Sequence, residues 1–64
     1  MYKNTLYFHD YQEAKSKRIE VLRDKDNVIN AFLSVYKESP IEAYDKVSNK
    51  YEKFEYVLDI YYRD

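Results

Sequence analysis

Not one glycine occurs in these 64 residues, and that absence constrains the chain more than any residue it contains. Tight hairpins and left-handed helix caps lean on glycine, because a residue without Cβ enters positive φ at little steric cost. A glycine-free chain is thereby biased toward long helices joined by few turns. Size adds a second constraint. A chain of about 60 residues buries only roughly 60% of the surface its unfolded form exposes, so small domains usually add disulfides, a structural metal or self-association. Cysteine is absent and histidine occurs once, which leaves self-association or docking on a partner as the expected remedy.

Two segments carry helix-start signals. In KESPIE, Ser39 stands as an N-cap, Pro40 fits the first helical position, and Glu42 lies three residues after the serine, the arrangement of a capping box. In HDYQE, Asp10 and Glu13 repeat the grammar and predict a helix starting at Tyr11. From there the apolar pairs Val21-Leu22, Val28-Ile29 and Val35-Tyr36 recur every seven residues, a helical stripe. The stripe predicts a helix over 11–37, with a weak point at RDKDN, residues 23–27, where Asp26 could cap a separate element. After Pro40, positions Tyr44, Val47, Tyr51, Phe54, Leu58 and Tyr61 keep three-four spacing.

The tail YEKFEYVLDIYYRD fits two periods. As a helix it aligns Tyr51, Phe54, Leu58 and Tyr61; as a strand it aligns Phe54, Tyr56, Leu58, Ile60 and Tyr62. The register entering from the capped segment favours helix, with Asn49 as the only turn candidate on the way. The fold predicted for this single domain of residues 1–64 is therefore mainly α. It comprises an extended segment over 1–9 and an antiparallel helical hairpin of 11–37 and 40–62, self-associating. The alternative is α+β: Tyr2, Leu6 and Phe8 alternate with polar neighbours, and such a strand could pair with the tail in a β-α-α-β arrangement.

Catalytic patterns are missing. His9, Asp10 and Glu13 make a thin ligand set that reads better as a cap beside an aromatic. DKDN at 24–27 lacks the Gly and the final Glu of a calcium loop, whose last position is Val35. There is no thiol, no serine near the lone histidine, and no Gly-rich phosphate loop. The chain reads as a non-enzyme without metal or cofactor.

The formal net charge of −1 favours neither nucleic acid nor an anionic membrane. Lys15, Lys17 and Arg18 form the only basic cluster, the basis of an alternative nucleic-acid-binding or transcription-regulating role that is otherwise not expected. Asp45, Glu52 and Asp59 repeat every seven residues; on a helix rising about 1.5 Å per residue they would stand roughly 10 Å apart, a row able to imitate DNA phosphates. No apolar run has the length of a signal peptide core or a membrane span, so the expected location is the cytoplasm. Abundant Lys, Asn, Tyr, Ile and Phe match an AT-rich coding sequence, as in a low-GC bacterium or its phages.

Nine tyrosines exceed what a core this small can use, and surplus aromatic surface marks interfaces. Function is thus expected in protein binding: a small, dimer-forming phage or mobile-element inhibitor that occupies the surface of a host protein, with a nucleic-acid-processing enzyme as the candidate partner. The expected contact residues are Tyr56, Ile60 and Tyr62, with Glu52 and Asp59 beside them.

Overall fold

A computed structural model describes residues 1–63. The chain runs β1 (Tyr2–Phe8), α1 (Tyr11–Leu22), β2 (Val28–Val35), β3 (Ile41–Asp45), β4 (Lys50–Phe54) and β5 (Tyr56–Tyr62). Strands β1, β5 and β2 form an antiparallel sheet in that order, and β3 pairs with β4. The helical hairpin is not what the chain adopts. β1 does pair with the C-terminal strand, but the β-α-α-β alternative also fails, because there is one helix rather than two. Among the described residues, no helix is long and apolar enough to cross a membrane.

Helix α1 begins where Asp10 directs it: the aspartate carboxylate accepts from the Glu13 N–H at 3.3 Å. It ends at Leu22 instead of continuing to 37. The Asp24 side chain accepts from Asn27 Nδ2 at 3.1 and 3.2 Å, and the Asp24 carbonyl accepts from the Val28 N–H at 2.9 Å. Short polar side chains that bond locally end helices, so RDKDN is a turn. Beyond it Val28, Ile29 and Val35 of the heptad stripe lie on β2, where Val28 and Ala31 are buried under the helix.

The Ser39-Pro40-Glu42 signal also misleads. Pro40 precedes β3, a position where its fixed φ and missing N–H cost little. The register shows why a strand forms there: Val35 lies opposite Tyr56 and Ile41 opposite Phe54. Strands β2 and β3 are thus one arm of a long hairpin and β4 and β5 the other, with residues 36–40 bulging opposite Glu55. The Tyr36 N–H donates to the Glu55 carbonyl at 2.6 Å and holds the bulge closed.

The hairpin turn solves the glycine problem with asparagine. Asn49 takes φ 61°, a region that Asn tolerates better than most residues. Its N–H donates to the Asp45 carbonyl at 2.8 Å, and its side-chain oxygen accepts from the Tyr44 hydroxyl. Asp45 Oδ1 accepts from the Val47 N–H at 2.9 Å.

The core sits between the sheet and α1. Leu58 and Ile60 of the middle strand pack with Val28 and Ala31, framed by Leu6, Phe8, Val21, Leu22 and Leu33. On the opposite face Val57, Asp59 and Tyr61 alternate, with Asp59 accepting from the Thr5 hydroxyl at 2.7 Å. Flanked by two strands and covered by the helix, β5 is apolar at consecutive positions, which is why the tail satisfied both periods.

Candidate functional site

The residues expected to make contacts scatter over the fold. Ile60 is 1% exposed and Tyr56 6%, so both belong to the interior, Tyr56 with its ring against Tyr11. Tyr62 is half-buried and stacks on Tyr2 at 4.9 Å. Asp59 is tied to Thr5, and Glu52 lies in the hairpin beside His9. The acidic row does not exist as a row, because its helix does not: Asp45 and Glu52 meet in the hairpin and Asp59 stands on the middle strand. The aromatic surface that does face solvent includes Tyr7, Tyr11, Phe32, Tyr44 and Tyr51.

One part of that surface coincides with open backbone. Strand β2 is at the sheet edge. At Ala31 the carbonyl accepts from Arg18 Nε at 2.9 Å and the N–H donates to Asn30 Oδ1 at 2.8 Å, so its backbone groups point away from β5. By strand alternation those of Leu33 and Val35 point the same way, and among the described residues they have no partner there. Tyr11, Lys15 and Arg18 of α1 and Phe32, Leu33 and Val35 of β2 line one groove along this edge. Lys37 and Tyr56 prolong it at the Val35 end. Phe32 is 53% exposed.

The basic cluster divides by neighbour. Lys17 pairs with Glu20 at 3.6 Å, Arg18 lines the groove but is committed to the Ala31 carbonyl, and Lys15 lines it with no ion pair among the described residues. Charged side chains beside an edge strand discourage indiscriminate pairing, yet two residues of edge stay open.

A second corner lies where the β3–β4 hairpin meets the end of β1. The His9 ring stacks on Phe54 at 4.3 Å, and Phe54 also touches Tyr7. His9 Nε2 is 3.5 Å from Glu52 Oε1, and one ligand atom each from His9, Asp45 and Glu52 lies within 4.8 Å of the others. The Val47 N–H holds the Asp45 carboxyl below its ordinary value of 3.8, and contacts with Glu52 and Ser48 add to the effect. His9 thus keeps company with acids distant in sequence, whereas its neighbours Asp10 and Glu13 serve the helix cap. Cross-strand pairing of Ala43 with Glu52 is what brings Asp45 and Glu52 together, and only a strand reading of both segments could have signalled it.

Comparison with protein-family models, with curated proteins and with solved structures found no match.

Proposed function

We propose that the chain is a small, non-enzymatic protein-binding module that takes up an extended, acidic segment of a partner protein along the outer edge of β2. The observation that carries this reading is the unpartnered backbone of Leu33 and Val35 beside exposed Phe32, Val35 and Tyr11. Main-chain hydrogen bonds at an open edge supply affinity, and flanking side chains supply selectivity. Lys15 and Lys37 border the groove, and among the described residues no carboxylate lines it, so the favoured segment carries Glu or Asp. Inhibition of the partner by occupying its surface follows from this mode of binding.

The test is a fluorescence-anisotropy titration with short labelled peptides alternating Glu with Val, set against counterparts alternating Lys with Val. The acidic peptides should bind and the basic ones should not. Val35→Pro removes one outward N–H at a position where edge strands tolerate proline, and it should abolish binding. Lys15→Glu should weaken binding of the acidic peptides. Equal affinity for both peptide types, or binding indifferent to Val35→Pro, overturns the reading.

A further inference from the structure

We propose that His9, Asp45 and Glu52 form a site for a divalent transition cation of the zinc class, which fastens the β3–β4 hairpin to the end of β1. The three side chains come from the segment after β1, the last residue of β3 and the middle of β4. They are therefore brought together by the fold rather than by a run of surface acids. The separation of 3.5 Å between His9 Nε2 and Glu52 Oε1 suits two ligands about 2.0–2.2 Å from one metal in tetrahedral array. Asp45 Oδ1 accepts from the Val47 N–H, and a carboxylate has a second oxygen to offer a cation. Stacking on Phe54 limits the orientations of the imidazole, a constraint that lowers the entropy lost on ligation.

Charge points the same way. Two carboxylates lie close together, and among the described residues neither forms an ion pair with Lys or Arg. Like charges at such range repel unless a proton or a cation stands between them. One imidazole nitrogen and two carboxylate oxygens form a borderline donor set, suited to Zn²⁺ and its neighbours better than to Mg²⁺, which demands near-octahedral oxygen coordination. Water would complete the shell. The fold gives the cation a structural task, since the hairpin meets the end of β1 at the Phe54, Tyr7 and His9 rings, and a chain this short has no disulfide. The site is separate from the β2 edge, so either proposal can fail alone.

The single histidine makes the test unambiguous. Zn²⁺ titrated into the ¹⁵N-labelled protein, followed by NMR of the imidazole and of the amides of residues 44–54, should shift the His9 ring resonances with one-to-one stoichiometry. It should also slow amide exchange in β4 and raise Tm, while Mg²⁺ at the same concentration does neither. His9→Phe preserves the stack on Phe54, Glu52→Gln preserves size, and Asp45→Asn keeps an acceptor for Val47. Each should lose the response to Zn²⁺. An imidazole unmoved by excess Zn²⁺, or unchanged binding in both Glu52→Gln and Asp45→Asn, overturns the proposal.

Discussion

Strands β4 and β5 are separated by one residue, Glu55, and both are rich in aromatics, yet their environments are opposite. Tyr56 is 6% exposed and Tyr51 67%. The difference comes from what arrives beside each strand. β5 receives β1 on one edge, β2 on the other and α1 over one face, whereas β4 pairs with β3 alone among the described residues and meets the Tyr7 and His9 rings at Phe54. Burial along this continuous stretch is therefore decided by partners distant in sequence. The stability of the domain should reside in β5, and the hairpin should open at lower free energy.

The sharpest way to break that contrast is Leu58→Ala. Removing a fully buried leucine from a core flanked by Ile60 and Ala31 should cost about 2–5 kcal/mol, a large share of what a domain this size possesses. Tyr51→Ala, on the exposed face of the hairpin, should cost roughly 0.5 kcal/mol or less; urea denaturation of both variants checks the pair. Thr5→Val comes next. It leaves half-buried Asp59 without its donor, and a loss of about 1–3 kcal/mol is expected by the same method.

Smaller effects should stay within the hairpin. Asn49→Ala places a less tolerant residue at φ 61°, costing about 1 kcal/mol locally. Amide exchange should accelerate in β3 and β4 and stay unchanged in β5, whereas Asn49→Gly should be neutral or slow it. Smallest is the response to acid at Asp45. Its carboxyl titrates below the ordinary value of 3.8 in the folded chain, so its contribution to stability is fully present above that value and disappears as pH falls through the lower folded one. An NMR titration of the Val47 amide should report a midpoint below 3.8.

Part of this was legible in the chain. Asp10 and Glu13 mark the helix start, Asn49 is the turn residue on the way into the tail, and the alternation of Tyr2, Leu6 and Phe8 marks an edge strand. The rest was hidden by cues that suit two structures. Ser39-Pro40-Glu42 satisfies a capping box but equally leads into a strand, and the pairs at 28–29 and 35–36 fit a heptad as well as a strand at the edge of the core. The missing glycine misled most, since Asn49 and the Asp45 side chain build the turn without it. Meeting points such as His9 with Glu52, or Arg18 with Ala31, depend on register and leave no local trace.

Amide hydrogen exchange along residues 50–62 tests the central claim most directly. With partners on both edges, the even residues of β5 bond toward β1 and the odd ones toward β2, so consecutive amides from Val57 to Ile60 should all be strongly protected. Those of Lys50 to Phe54 should be weaker and protected on alternate residues. Uniform protection from residue 42 through 62, as a continuous helix would give, or equal protection of β4 and β5, would contradict it.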